Sequence, residues 1–167
     1  MNNNVSKRLL ATIAIACPAL APAFASPQQS NPLVGAWTLV SVNDERADGQ
    51  KVPLYGPSPN GYLTFSADGR YSLQLCSAER PRFAANDRTK GTPAEYQAAV
   101  LGCNPHWGRY AMSGSDINFK IDHAIFQNWE NTEQKRAFTL VGDVLTYKVP
   151  NAPVTGVNPV VIWKRMK

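Results

Sequence analysis

Leu33-Val34-Gly35-Ala36-Trp37-Thr38-Leu39-Val40-Ser41, near the start of the chain, is the stretch on which the predicted fold depends. Trp37 and Leu39 alternate with Thr38, which is the two-residue period of a half-buried β-strand. Gly35 allows the backbone to bend tightly where this strand begins. We therefore expect the stretch to open a β-sheet.

The chain ends on a second apolar run, Val160-Val161-Ile162-Trp163-Lys164-Arg165. We expect the first and last strands to pair, because pairing removes both edges of the sheet and closes it into a barrel. Trp37 would then close one end of the barrel, with Lys164 or Arg165 over its indole ring. The alternative is that Trp37 is an ordinary core residue of an open β-sandwich.

Between these two runs, most of the chain has the alternation of short strands bounded by turns rich in Gly, Pro, Asp and Asn. Residues 44–60 lack the alternation and contain several turn residues, so they are predicted to form a loop. The other predicted strands cover residues 62–66, 70–76, 106–113, 116–125, 132–141 and 143–149. No strand–helix repeat is present, which favours an all-β antiparallel barrel of about eight or more strands over a βαβ fold.

One short helix interrupts the strands. Thr92 is its predicted N-cap, Pro93 occupies the first helical position, Glu95 completes a capping box, and Gly102 marks the C-terminal end. We expect this helix to pack on the barrel wall or across the mouth, either as a structural plug or as a lid.

The first 25 residues resemble a signal peptide. Lys7 and Arg8 precede the apolar run of residues 9–16, and Ala23-Phe24-Ala25 is typical of a cleavage site. Residues 26–32 are polar and are predicted to be a flexible lead-in, followed by the barrel domain at 33–167. The expected location is the periplasm or the exterior of the cell, while lipid attachment at Cys17 is the alternative.

Charge and hydropathy exclude two classes of partner. Removal of the leader takes away two cations and no acid, which lowers the formal net charge from +5 to +3, and no run of Lys and Arg remains. We therefore predict no nucleic-acid partner. No later stretch approaches the ~20 apolar residues of a membrane-spanning helix. The oligomeric state stays open.

Cys76 and Cys103 are the two cysteines left after cleavage, and in an oxidising compartment they are predicted to form a disulfide. Another interpretation uses Cys103-Asn104-Pro105-His106 as a thiol beside a base or as half of a metal site. His106 and His123 are the only histidines in the chain, which makes a metal site hard to complete. We predict neither a metal nor a cofactor.

Several motifs together resemble the small lipocalin-like domain family of bacteria and fungi, in their order and spacing over nearly all of the mature chain. The resemblance implies a calycin-type barrel around a cavity for a small apolar molecule. Cys76 and Cys103 depart from the usual family pattern, which fits a disulfide particular to an exported member. The motifs are Leu33-Val34-Gly35-x-Trp37, Tyr55-Gly56-Pro57, Gly61-Tyr62-Leu63, Ala67-Asp68-Gly69-Arg70, Arg80-Pro81-Arg82-Phe83, Gly91-Thr92-Pro93-x-Glu95-Tyr96, Gly108-x-Tyr110, Asn128-Trp129 and Thr132-Glu133-Gln134-x-Arg136.

Catalytic motifs of the common hydrolase, phosphate-loop and zinc-protease types are absent from the sequence, so no catalytic residue is predicted. The strand at 132–141 places Gln134, Arg136 and Phe138 on one face, which makes Arg136 a candidate inward-facing charge. The alternative is that Arg136 lies at the rim or pairs with a buried acid.

Three classes of function remain. We favour a binding protein for a small apolar or amphipathic molecule, with Arg136 as polar anchor. The second class is an isomerase or cyclase that uses the same cavity, and the third is a structural or stress-related envelope protein with a filled barrel. The predicted ligand-binding residues are Arg136, Gln134, Trp129, Tyr62 (or its neighbour Leu63), Tyr71, Tyr110, Phe138 and Tyr147.

Overall fold

The computed structural model describes residues 31–46, 48–150 and 159–167; the predicted signal peptide and residues 26–30 lie outside this range. These residues form nine strands, one α-helix and a 3₁₀ turn at Gln127–Trp129. The elements are β1 (Gly35–Glu45), β2 (Lys51–Pro53), β3 (Asn60–Phe65), β4 (Arg70–Cys76), α1 (Pro93–Leu101), β5 (His106–Ser113), β6 (Asp116–Ala124), β7 (Glu133–Val141), β8 (Val144–Lys148) and β9 (Val160–Arg165).

The sheet closes on itself. Its strands follow the antiparallel order β1-β3-β4-β5-β6-β7-β8-β9, and β9 pairs back onto β1 from Trp37–Arg165 to Asn43–Val160. The predicted closed barrel with one short helix is confirmed, and the open sandwich is wrong. Because every strand except β2 has a neighbour on both sides, the barrel has no long open edge among the described residues.

The closed end of the barrel is built around Trp37, which is 0% exposed. Its Nε1 donates to the carbonyl oxygen of Leu33 at 3.0 Å, and the guanidinium carbon of Arg165 lies 4.1 Å from the ring centroid. Arg165 also donates to the Val34 carbonyl at 2.9 Å. The predicted contact between the first and last strands, with a cation over the indole, is confirmed.

Two residues assigned to the flexible lead-in belong to this closed end. The Asn31 side chain donates to the hydroxyl of Tyr110 at 2.9 Å, and the carbonyl of Pro32 accepts from Arg165 at 2.6 Å. Asn31 and Pro32 are therefore held at the closed end, one through its side chain and the other through its backbone carbonyl.

Aromatic rings fill much of the barrel above the closed end. Ring centroids are 4.6 Å apart for Phe65 and Tyr110 and 4.7 Å apart for Tyr71 and Phe119. These inward-facing side chains come from four different strands, so each ring contacts partners that are distant in sequence. This packing makes the part of the barrel next to the closed end a solid core.

Strand β2 is missing from the sequence-based prediction, which assigned residues 44–60 to a loop. It pairs with β1 through Asn43–Pro53 and Glu45–Lys51, beyond the last pair between β1 and β3. Three residues are too short to show an alternating pattern, and Pro53 is typical of a strand end. Pairing to an already extended β1 stabilises it.

Helix α1 begins as predicted. The Thr92 hydroxyl accepts from the Glu95 amide at 3.3 Å, and the Glu95 carboxylate accepts from the Thr92 amide at 2.7 Å. However, α1 buries none of its residues. The prediction of a structural plug is wrong, because capping specifies where a helix starts and not what the helix packs against.

The Cys76–Cys103 disulfide is confirmed, with the two Cα atoms 4.0 Å apart. It joins the end of β4 to the residue after α1 and its C-cap, and so closes the excursion formed by residues 77–102. Two hydrogen bonds flank it, from Ser77 N to the Gly102 carbonyl at 2.8 Å and from Asn104 N to the Leu75 carbonyl at 2.8 Å. Within the described ranges, no helix combines the length and apolar character needed to cross a bilayer.

Candidate functional site

The mouth of the barrel is the end opposite Trp37, where β4, β6 and β8 finish and β5, β7 and β9 begin. A depression of about 300 Å³ opens there beside the start of β7. We call it the seam pocket, and its lining consists of Trp129, Glu133, Gln134, Lys135, Arg136, Val149 and Pro150.

The seam pocket lies where two neighbouring strands separate. Strand β7 pairs with β8 only from Phe138–Tyr147 to Val141–Val144, whereas residues 133–137 continue to pair with β6. Residues 133–137 of β7 are therefore not paired with β8. This separation creates an opening in the wall beside the mouth.

Arg136 lies on the inner face of β7 at this opening. The burial of β7 alternates, and Arg136 is only 8% exposed. Its Nη1 donates to the Lys135 carbonyl at 3.0 Å, and its Nη2 donates to the Gln134 side-chain oxygen. The ion pairs among the described residues do not include this guanidinium, so within that part of the chain its hydrogen-bond partners are neutral groups.

Tyr71 and His106 form a second polar pair inside the barrel. The Tyr71 hydroxyl and His106 Nδ1 are 2.8 Å apart, and the rings of His106 and Trp129 meet edge-on at 5.9 Å. Burial, with a smaller contribution from the charge of Arg136, lowers the pKa of His106 to about 3. The imidazole is therefore neutral at pH 7, and burial likewise lowers the pKa of Arg136.

Tyr147 extends the polar cluster on β8, where it is buried. Burial raises the pKa of Tyr147 to about 12, and burial also raises the pKa of Tyr71. Both phenols stay protonated at neutral pH. Of these polar groups only Arg136 and Gln134 line the seam pocket, and a cation beside an amide suits a ligand group that carries negative charge and accepts hydrogen bonds.

The structure separates the residues predicted to line the cavity. Gln134, Arg136 and Trp129 line the seam pocket, and Tyr71, Phe138 and Tyr147 face inward. Tyr62 is a correction: it is 43% exposed on the outer wall, and Leu63 takes the inner position because strand alternation permits only one of them inside.

Tyr110 is the second correction. Its hydroxyl donates to the Ser66 carbonyl at 3.0 Å and accepts from Asn31 at the closed end. These bonds hold it away from the mouth, where the predicted anchor lies. Tyr110 therefore belongs to the closed end of the barrel, and its hydroxyl is hydrogen-bonded to protein groups.

His106 is the residue that sequence reasoning missed in this cluster. The sequence places it near Cys103 along the chain, but the Cys103 sulfur is bonded to Cys76 and His106 contacts Tyr71 instead. The thiol–base interpretation is wrong for that reason. Alternation of His106, Gly108 and Tyr110 along β5 is a signal that could have placed the imidazole inside.

Acid should destabilise the folded protein through His106. Because its pKa falls from 6.5 to about 3 on folding, the unfolded chain binds a proton below about pH 6.5 that the folded protein does not. The free energy of unfolding then decreases as the pH falls from about 6.5 towards 3, by at most about 1.4 kcal/mol per pH unit from this group.

Urea denaturation of the parent and a His106→Gln variant at about pH 7.5, 6 and 5 measures this effect. The carboxylates contribute to both proteins, so the difference between them isolates the imidazole. The parent should lose its advantage over the variant as the pH falls. A stability difference that stays constant over this range would contradict the assignment of His106 as a buried neutral group.

Comparison with known proteins gives a family and two similar structures. A family model for the lipocalin-like domain matches residues 34–166. The structure is similar to an uncharacterized protein from Bacteroides eggerthii DSM 20697, with 14% identity, 79% of this chain and 98% of that chain covered, and a TM-score of 0.41. It is also similar to a mutant of the fluorescent protein UnaG, with 11% identity, coverage of 79% and 94%, and a TM-score of 0.35. No curated protein matches the sequence.

Proposed function

The chain belongs to the lipocalin-like domain family, and from that premise we propose that it is an exported protein that binds a small amphipathic molecule at the mouth of its barrel. The polar end of the molecule, a carboxylate or another hydrogen-bond acceptor, pairs with Arg136. Gln134 and Trp129 line the same pocket.

The observation that carries the proposal is that the Arg136 guanidinium lies beside an opening and forms no ion pair with the described residues. A buried cation with only neutral partners among the described residues is costly, and burial already lowers its pKa. An anionic ligand group would offset this cost through two parallel hydrogen bonds to the guanidinium.

The size of the seam pocket limits the ligand. Its volume of about 300 Å³ is at the lower end of ligand pockets, and aromatic rings fill the barrel below it. The apolar part of the ligand therefore lies against Trp129 and Val149 near the surface. A short-chain or single-ring acid fits this space better than a long lipid.

Two other classes of function are less well supported. An isomerase or cyclase would need a proton donor or acceptor active near pH 7, whereas the pKa of His106 is about 3 and that of Tyr147 is about 12. A purely structural barrel gives no reason for a buried cation at an opening. Export is supported by the disulfide, which persists in oxidising compartments.

Arg136→Leu tests the anchor. We expect the variant to fold, because leucine fills the inner position without an unpaired charge, and to bind octanoate and benzoate at least about tenfold more weakly than the parent. Octanol and benzyl alcohol, which have the same apolar parts and no charge, should lose less than about threefold. Isothermal titration calorimetry measures all four affinities.

Arg109→Leu is the matched control, because Arg109 is an exposed arginine on the outer face of β5. It removes the same charge from the same barrel and should leave the binding of the acids unchanged. Equal losses in the two variants would indicate a general effect of net charge. Binding of the acids by Arg136→Leu as tightly as by the parent would overturn the proposed anchor.

A further inference from the structure

The outer wall of the barrel carries a second concave surface, separate from the mouth. An open groove of about 690 Å³ runs across β4, β5 and the end of β6. We call it the outer groove, and the side chains that matter for its chemistry are those of Trp107, Arg70, Ser72, Asp122, Glu130 and Asn131. We infer that it is a binding site for a carbohydrate, with one sugar ring stacked on the Trp107 indole.

Cross-strand register places the indole at the centre of the groove. Ser72 pairs with Trp107, and Trp107 pairs with His123, so the three residues form one row across the outer face. The rings of Trp107 and His123 lie 5.2 Å apart, and His123 Nδ1 is 3.4 Å from a carboxylate oxygen of Glu130. These contacts place the His123 ring beside the indole and restrict the orientation of Trp107.

A β-bulge in β6 places a carboxylate, that of Asp122, in the outer groove. The register between β5 and β6 shifts after Trp107, since Gly108 pairs with Ile121 and Asp122 is left as the extra residue. A Cβ at Gly108 would overlap the carbonyl oxygen of Lys120, so only glycine permits this close approach. Bulges re-aim side chains, and this one brings Asp122 to the same groove as the indole.

Trp107 is far more exposed than the two tryptophans of the core. It is 49% exposed, whereas Trp37 and Trp163 are both 0% exposed. A half-exposed indole leaves apolar surface in water, where burial of that surface would contribute about 25 cal/mol per Å². A ligand with a flat apolar face would recover this contribution on binding.

The charges of the groove favour a neutral ligand with many hydroxyl groups. The lining has one guanidinium, Arg70, and two carboxylates, Asp122 and Glu130. Arg70 lies 3.5 Å from Asp68, and Glu130 lies 3.4 Å from His123, so both of these groups already have a polar partner on the protein. A sugar hydroxyl both donates and accepts, and therefore bonds to carboxylates, to Arg70 and to the amide of Asn131 alike. The C–H face of a pyranose ring supplies the apolar surface that stacks on an indole.

Saturation-transfer NMR with four trisaccharides, made of glucose, galactose, mannose or N-acetylglucosamine, tests the site at up to about 10 mM sugar. At least one should bind saturably and shift the indole N–H signal of Trp107, which the spectrum of Trp107→Ala identifies. Trp107→Ala and Asp122→Asn should each weaken binding at least about tenfold.

Tyr62→Ala is the matched control, because Tyr62 is an exposed aromatic residue on the same outer wall and does not line the groove. It should bind the sugar as the parent does, and so should Arg136→Leu, which keeps this result independent of the proposed anchor. The inference is overturned if no trisaccharide binds saturably, or if binding survives Trp107→Ala. Free amino acids are zwitterions and could pair with the charges of both signs in the groove. The inference is also overturned if only these molecules shift the Trp107 signal.

Discussion

Trp37→Ala should lower the free energy of unfolding by roughly 3 to 5 kcal/mol, the largest loss expected from a single substitution in this barrel. The indole is fully buried, donates to the Leu33 carbonyl and lies under the Arg165 guanidinium. Its removal leaves a cavity, a carbonyl without its donor and a cation without its aromatic partner. All three losses occur at the pairing of β1 with β9, which closes the barrel.

Urea denaturation, monitored by far-ultraviolet circular dichroism, measures this loss. Trp107→Ala provides the matched comparison, because it removes the same side chain from the outer wall and should cost much less. A loss below about 0.5 kcal/mol for Trp37→Ala is the size expected at a surface position. That result would mean that the indole does not hold the two ends of the sheet together.

Replacing both Cys76 and Cys103 with serine should cost about 3 kcal/mol, the second large effect. The bond closes a loop with a sequence separation of 27, and the loss of loop-closure entropy in the unfolded chain scales with that length. Helix α1 buries none of its residues, so the excursion contributes little packing that could replace the bond.

The same double variant should be cut more rapidly by trypsin within the excursion. Arg82, Arg88 and Lys90 are exposed there. Without the disulfide, the two flanking hydrogen bonds at Ser77 and Asn104 would still join the ends of the excursion. Denaturation midpoints and the mass of the first tryptic fragments measure the two effects. Unchanged stability with unchanged cleavage would show that the excursion is held by other contacts.

Most of the strand positions were predictable, because they depend on features that act over a few residues. The alternation of Trp37 and Leu39 defines β1, turn residues mark the hairpins, and Thr92 with Glu95 defines the start of α1. Each of these signals acts over a few residues, so neighbours in sequence are enough to specify it. The exception, β2, is a three-residue strand that exists because β1 is already extended beside it.

The candidate site was predictable only in part. The inward orientation of Arg136 follows from the alternation of inner and outer side chains along β7, and the sequence places Gln134 and Trp129 close to it along the chain. By contrast, the pairing of His106 with Tyr71 joins residues that are 35 positions apart. Such a contact depends on how the two strands pass each other inside the barrel, which local alternation does not specify.

By itself, the sequence determined a closed antiparallel barrel with its first and last strands joined, one capped helix and a bond between Cys76 and Cys103. Periodicity, capping residues and cysteine count carry these features, and all act locally or by elimination. The tertiary structure alone decided that α1 is exposed, that Tyr110 serves the closed end and that β7 separates from β8 beside Arg136. It also decided that a bulge at Gly108 brings Asp122 beside Trp107. These features depend on register between strands, because a shift of one residue exchanges the inner and outer faces of a strand.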